Sequence, residues 1–244
     1  MFFEYILIGV AVGFISGFFG IGGGTVVMPV MMALGYDIKT AAGISVMQMF
    51  IVAIFGSYLN YRAGRLRLDS GIAVGLGGLC GASLSGFIVK YSPEIVLEIG
   101  LLLTLAVSFL KLFSTNVASG GNANPHGAVL FFIGFAIGAI ALSMGVGGAV
   151  FLTPVLVEFL GVDIKRAVCM GLFFIVFGSF SALLSLSYNG HVDYERGALL
   201  AVGGLLGVYF GTSQARRAKR ETQKKWLLVL YVVLFALALK KVLQ

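Results

Sequence analysis

Charge is scarce in this sequence and confined to its edges. Asp, Glu, Lys and Arg make up 11% of the 244 residues, against roughly 25% in an ordinary soluble domain. No polar stretch is long enough to build a soluble domain, so any activity must sit among apolar segments. Glu4, Glu98 and Glu158 lie near the ends of apolar runs, and both histidines, His126 and His191, fall in loops. The middle of the runs therefore lacks the clustered carboxylates, imidazoles and thiolates that a metal-cation path needs, and the buried carboxylate relay of a proton pump. No metal site or cofactor is expected. The two cysteines, Cys80 and Cys169, lie far apart inside apolar runs, which leaves a disulfide or zinc site without support and packing as their expected role. Gly81-Ala82-Ser83 lacks the membrane-depth histidine that an intramembrane serine nucleophile would need as a base. Gly20-Ile21-Gly22-Gly23-Gly24 lacks the βαβ setting of a dinucleotide loop. The start, Met1-Phe2-Phe3-Glu4-Tyr5, lacks a basic n-region and a small-residue cleavage site after it, so it reads as a first membrane element and not as a removed signal peptide.

What the chain does have is hydrophobicity and glycine. Hydrophobic residues supply 59% of it, mean hydropathy is +1.03, and apolar runs of about 20 residues, enough to cross a bilayer, recur along its length. The fold class is an all-α polytopic membrane protein. Among 35 glycines, one cluster interrupts an apolar run twice: Gly20-Ile21-Gly22-Gly23-Gly24-Thr25-Val26-Val27-Met28-Pro29 and Gly145-Val146-Gly147-Gly148-Ala149-Val150-Phe151-Leu152-Thr153-Pro154. Such a break frees backbone N–H and C=O groups that hydrocarbon cannot satisfy, so it is tolerated only inside protein or beside a watery cavity. Paired breaks point to a transporter's substrate site.

The repeat runs on past the glycines. Gly35-Tyr36-Asp37-Ile38-Lys39-Thr40-Ala41 matches Gly161-Val162-Asp163-Ile164-Lys165-Arg166-Ala167 at an offset of 126, and the offset holds through Gly81 and Gly207; between Pro29 and Pro154 it is 125. The chain divides into an N-terminal repeat, 1–114, a polar linker, 115–126, and a C-terminal repeat, 127–244, together forming one membrane domain. Each repeat reads as a long broken element and three plain helices: 3–34, 38–60, 69–90 and 93–113, then 127–160, 164–187, 196–214 and 224–243. Equivalent loops differ in charge. Arg62, Arg65 and Arg67 lie after the second element of the first half, where the second half has His191, Asp193, Glu195 and Arg196. Conversely, the strongly basic stretch Arg216 to Lys225 is matched by a nearly neutral Lys90–Pro93. With basic loops inside, this alternation implies inverted repeats, although Lys240-Lys241 runs against it. Inversion needs an odd number of crossings per half, so each broken segment should enter and return on one side, as a re-entrant or half-helix element. The net charge of +7 is accounted for by these loops, whose expected partner is the bilayer's anionic lipid headgroups and not nucleic acid.

With no buried cation available, backbone dipoles can supply positive potential to an anion, because a helix N-terminus offers unpaired N–H groups and about half a positive charge. A half-helix starting at Gly24-Thr25, and its equivalent near Gly148-Ala149-Val150, would bring two such ends toward one ligand. Gly22, Gly23, Gly24, Thr25, Gly147, Gly148 and Ala149 are therefore candidate substrate-binding residues. The next helix of each half supplies a wall: Ser45 and Gln48, three residues apart and on one face, and Cys169 in the second half. A glutamine deep in the membrane either lines the pathway or makes an interhelical hydrogen bond, and the sequence leaves both open. Met28, Met31, Met32, Met47 and Met49 read as packing, as do the GxxxG pairs Gly13/Gly17, Gly71/Gly75, Gly134/Gly138 and Gly207/Gly211.

Gly17-Phe18-Phe19-Gly20-Ile21-Gly22-Gly23-Gly24-x4-Pro29 with Ala41-Ala42-Gly43-Ile44-Ser45, and the degenerate copy Gly145-Val146-Gly147-Gly148-x5-Pro154, resemble the TauE/SafE family of sulfite and organosulfonate exporters over essentially the whole chain. The resemblance implies transport of a small sulfur-containing or related organic anion across the bacterial inner membrane. The expected protein is a multi-pass secondary transporter, not an enzyme, working by alternating access. A channel-like anion facilitator is the alternative, a homo-oligomer is left open, and a membrane enzyme or scaffold has no residues to support it. Ala149 stands where the first copy has Gly24, which implies an asymmetric site.

Overall fold

The computed structural model describes residues 2–64, 68–114, 125–162, 164–218 and 220–242. Arg65, Arg67, linker residues 115–124 and Lys219 lie outside the described residues. Eleven α-helices make up the described fold: α1 (Phe2–Phe19), α2 (Gly24–Ala33), α3 (Ile38–Arg62), α4 (Leu68–Ala82), α5 (Ser85–Tyr91), α6 (Glu94–Ser114), α7 (Gly127–Ser143), α8 (Ala149–Pro154), α9 (Ile164–Tyr188), α10 (Tyr194–Arg217) and α11 (Arg220–Val242). A π-helical turn, Val155–Phe159, extends α8 beyond Pro154. Among the described residues, five segments are long and apolar enough to cross a membrane: Phe2–Phe19, Ile38–Arg62, Gly71–Tyr91, Arg166–Tyr188 and Tyr194–Ala215.

Local chemistry sets the boundaries. Asp37 caps α3 by accepting a hydrogen bond from the Thr40 N–H at 2.8 Å, and Asp193 caps α10 through the Arg196 N–H at 3.1 Å. Gly64 and Gly190, equivalent under the repeat, follow α3 and α9 with φ of 67° and 74°, the left-handed conformation that ends a helix most cheaply with glycine. One expected helix is not continuous. The 69–90 segment opens at Ser83-Leu84 into α4 and α5, because serine hydroxyls there compete for the helix ladder. Ser83 donates to the Cys80 carbonyl at 2.7 Å, while Ser185 of α9 donates to the Ser83 carbonyl and accepts from the Gly86 N–H, both at 2.9 Å. Cys80, expected in packing, lies exposed on α4.

The main helix interfaces join one half to the other. α1 packs on α10 and its equivalent α7 on α4; α3 packs on α10 and its equivalent α9 on α4; α3 packs on α9, and α6 on α11. Glycine makes the first pair close. A Cβ on Gly13 would strike the Gly204 backbone, one on Gly9 the Leu200 carbonyl, and one on Gly17 would lie 2.7 Å from the Val208 carbonyl oxygen. Such approach is how apolar helices gain packing energy where water gives no hydrophobic drive. These contacts advance in step along both chains, so α1 and α10 run parallel. α3 and α9 run antiparallel: Gly43 abuts the His191 carbonyl and Gly56 faces Leu172, with Phe50 against Phe180 between them, ring centroids 5.5 Å apart. The start of α1 and the end of α2 meet, since the Tyr5 and Tyr36 hydroxyls are hydrogen-bonded at 2.5 Å. The first broken element thus leaves and returns at one end of the bundle. α3 and α9 are the most enclosed spans, each 61% buried against 28% for α1, and the breaks rest against them.

Candidate functional site

The two breaks meet in the centre of the protein. Every residue from Gly20 to Pro29, and from Gly145 to Val150, is buried. Backbone groups freed there need partners, and the first half supplies some to the second. Thr25 donates to the Val146 carbonyl at 3.1 Å, Ser45 donates to the Gly145 carbonyl at 2.6 Å, and Gly24 lies so close to the Gly145 carbonyl that a Cβ would collide with it. Within the first break, Val26 and Val27 donate to the Gly23 carbonyl at 3.0 and 2.9 Å. The first-turn amides of Gly24 and Thr25 precede that first α2 bond and have no intrahelical acceptor. In the second, Phe151 and Leu152 donate to the Gly148 carbonyl at 3.0 and 2.9 Å, and Ala149 to Gly147 at 2.8 Å.

Helices α3 and α9 present equivalent residues to the two breaks. Gly20 faces Val168, and Gly145 faces Ala42; Gly22 faces Ile175, and Gly147 faces Met49; Gly23 faces Gln48, and Gly148 faces Phe174. Each pair converts into the other by the repeat offset, 125 within the breaks and 126 along α3 and α9, so corresponding positions of the two halves face each other. Gly20 and Gly22 take φ of 68° and 77°, and Gly145 and Gly147 take 65° and 88°, conformations that L side chains rarely adopt. The symmetry fails at the next position. Gly23 is right-handed, with φ −63°, whereas Gly148 is left-handed, with φ 65°.

Of the residues singled out from sequence, Gly22, Gly23, Gly24, Thr25, Ser45, Gln48, Gly147, Gly148 and Ala149 come together in this cluster, the last 3.1 Å from a Cβ placed on Gly171. Cys169 is buried on α9, between Val168 and Gly171, which carry the contacts. Sequence reasoning read Met49 as packing and did not name Phe174 or Ile175; all three set apolar side chains against the breaks. The signal was present, because adding the repeat offset to Gln48 and to its neighbour Met49 lands on Phe174 and Ile175. Met28, Met31, Met32 and Met49 are core residues, in keeping with a packing role. Gln48 is 0% exposed, and neither its Nε2 nor its Oε1 has a hydrogen-bond partner among the described residues. A Cβ on Gly23 would lie 2.8 Å from that Nε2, and one on Gly204 of α10 would lie 3.0 Å away.

A polar cluster closes the bundle end where α1 starts and α2 ends. Arg196 is paired with Asp193 and lies over the Tyr36 ring, 5.1 Å from its centroid, and Tyr36 is tied to Tyr5. His191, in the α9–α10 turn, has its pKa lowered, first by burial and then by Lys39. Chemically, the centre offers hydroxyl-capped carbonyls, one unpaired amide side chain and the first-turn N–H groups of α2. It is suited to hold a small polar ligand by hydrogen bonds.

Comparison with known proteins identifies the family. The family model "Sulfite exporter TauE/SafE" matches residues 5–240. The probable membrane transporter protein YdhB of Bacillus subtilis (strain 168) is 28% identical over 215 residues, covering 84% of this chain and 87% of YdhB. A probable membrane transporter protein of Haemophilus influenzae is 26% identical over 231 residues, covering 86% of this chain and 85% of that protein. The probable membrane transporter protein MJ0441 of Methanocaldococcus jannaschii is 47% identical over a shorter stretch of 58 residues, 23% of this chain and 22% of that protein. No solved structure matches. With a family model spanning nearly its whole length, and apolar helices able to cross a bilayer, this chain belongs to the TauE/SafE family of membrane transporters.

Proposed function

We propose that this protein is a secondary transporter of a small anion in the sulfur oxyanion and organosulfonate class, holding its substrate where the two glycine breaks meet. The observation that carries this reading is the buried junction itself. Hydroxyls of Thr25 and Ser45 satisfy carbonyls of the second break, while the first-turn N–H groups of α2 and the Gln48 amide are left for a ligand. Gly22, Gly23, Gly24, Thr25, Ser45, Gln48, Gly147, Gly148 and Ala149 form the site, with Cys169 in its wall.

Alternating access between two inverted halves is the mechanism this reading assigns. The antiparallel crossing of the equivalent helices α3 and α9, and the matched exchange of contacts between halves, support inversion, since a two-fold axis lying in the membrane would produce both. Burial of Gly20 to Pro29 and of Gly145 to Val150 favours a gated site over an open channel. The protein would lie in the cell's inner membrane, with basic loops against anionic headgroups. Flux into proteoliposomes tests the reading: sulfite or an alkylsulfonate should move in a protein-dependent, saturable manner. Absence of flux with every sulfur oxyanion and sulfonate offered would overturn it. An imposed pH gradient then tests proton coupling, and a rate indifferent to it would assign facilitation or another driving force.

A further inference from the structure

The correspondence between the breaks holds for which positions face each other and fails for chemistry. Gln48 stands over Gly23 and beside Gly204; at the equivalent place Phe174 stands over Gly148 and Gly78. The phenyl ring is 0% exposed and fills its volume with no polar group to satisfy. The glutamine amide is equally enclosed and satisfies neither its donor nor its acceptor. The backbone beneath differs in the same sense. α2 is a regular helix of 10 residues, whereas α8 is helical for 6 residues before its π-turn. A buried primary amide with both ends unpaired is complementary to a ligand that presents an acceptor oxygen and an O–H on one small head, closing a pair of hydrogen bonds at once.

We propose that the protein has one anion site, not two, and that it lies in the first half, where the Gln48 amide and the α2 N-terminus take a monoprotonated oxyanion, the equivalent place in the second half being closed by Phe174. This rests on the anion-transport reading above and narrows it. An oxyanion that has lost its last proton offers Gln48 Oε1 no donor, and a sulfonate never had one. A site built to bond a hydroxyl rejects the analogue without it far more strongly than a merely apolar pocket can.

Binding to the purified full-length chain tests this, by titration calorimetry and thermal stabilisation, with hydrogen sulfite as the protonated head. Methanesulfonate serves as a singly charged oxyanion without O–H. Wild type should bind hydrogen sulfite at least about tenfold more tightly than methanesulfonate, and its affinity for total sulfite should fall as rising pH converts the ligand to the dianion. In Gln48→Leu that preference should collapse to within about threefold, while Phe174→Leu keeps both affinities within about threefold of wild type. Should Gln48→Leu fail to fold, Gln48→Asn retains an amide but withdraws it by one methylene, and should lose the preference likewise. A preference that survives both Gln48 variants, or a loss in Phe174→Leu as large as in Gln48→Leu, would overturn the single-site assignment while leaving anion transport standing. A wild type that binds neither probe, and moves no anion in proteoliposomes, would reject the transport reading and this inference together.

Discussion

Replacing Gly23 with alanine separates the role of this glycine in binding from its role in folding. Its φ of −63° and ψ of −29° suit any L residue, so no backbone strain follows, and removing glycine's freedom in the unfolded chain favours the folded state by about 0.4–1 kcal/mol. The new Cβ strikes the end of the Gln48 side chain, colliding with Oε1 and lying 2.8 Å from Nε2 and 2.9 Å from Cδ. Ordinary contact needs 3.4 Å or more, so the amide must retreat by about one ångström, at about 0.5–1.5 kcal/mol if it leaves its rotamer. The two effects nearly cancel, and the thermal midpoint in detergent should stay within a few degrees of wild type. Function should not survive as well, because displacement by about 1 Å of a group that positions a ligand can cost on the order of a hundredfold. The assay pairs proteoliposome flux of sulfite with the thermal midpoint. Wild-type flux in Gly23→Ala would refute the assignment of Gln48 and Gly23 to the site; loss of folded protein would refute the claim that only the amide is struck.

Other substitutions should divide by what they strike. Gly24→Ala drives its Cβ into the Met49 sulfur and into the Gly145 carbonyl, and that carbonyl cannot yield without moving the second break, so its thermal midpoint should fall well below that of Gly23→Ala. Ser45→Ala removes the 2.6 Å bond to the Gly145 carbonyl and leaves that buried acceptor unpaired, a loss of about 1–3 kcal/mol; a thermal midpoint equal to wild type would contradict it. Gly13→Val, aimed at the Gly204 backbone between α1 and α10, should prevent a monodisperse folded species on size-exclusion chromatography, whatever anion is present. His191 lies in a turn with its folded pKa lowered from 6.5 by burial and by nearby Lys39. Above 6.5 it is neutral folded and unfolded and contributes no pH dependence; as pH falls through 6.5 the unfolded chain takes up the proton first and stability declines. His191→Gln should flatten that acid limb in a thermal-midpoint profile from pH 8 to pH 5, and an unchanged limb would place the titration elsewhere.

Much of the architecture was legible in residue order because the bilayer leaves few choices. A backbone in hydrocarbon must satisfy itself, so long apolar runs become helices, and the observed helices fall within a few residues of the predicted ones except where Ser83 opens one. The glycine breaks were legible for the same reason: only glycine tolerates φ near 68° and 77° at Gly20 and Gly22. The repeat offset, read from letters alone, reappears as the exchange of Gly22–Ile175 for Gly147–Met49. Other features depended on contacts between residues far apart in the chain. That Thr25 and Ser45 cap carbonyls about a hundred residues away, and that Gln48 has no hydrogen-bond partner among the described residues although the chain left pathway and interhelical bond equally open, depends on how α3 crosses α9 against the breaks. Residue order therefore determined the elements, their breaks and their repetition, because each follows from local backbone satisfaction. Only the tertiary structure decided that the breaks abut, and that a lone amide faces one while a phenyl ring seals the other, because packing between distant segments settles which polar atoms find partners.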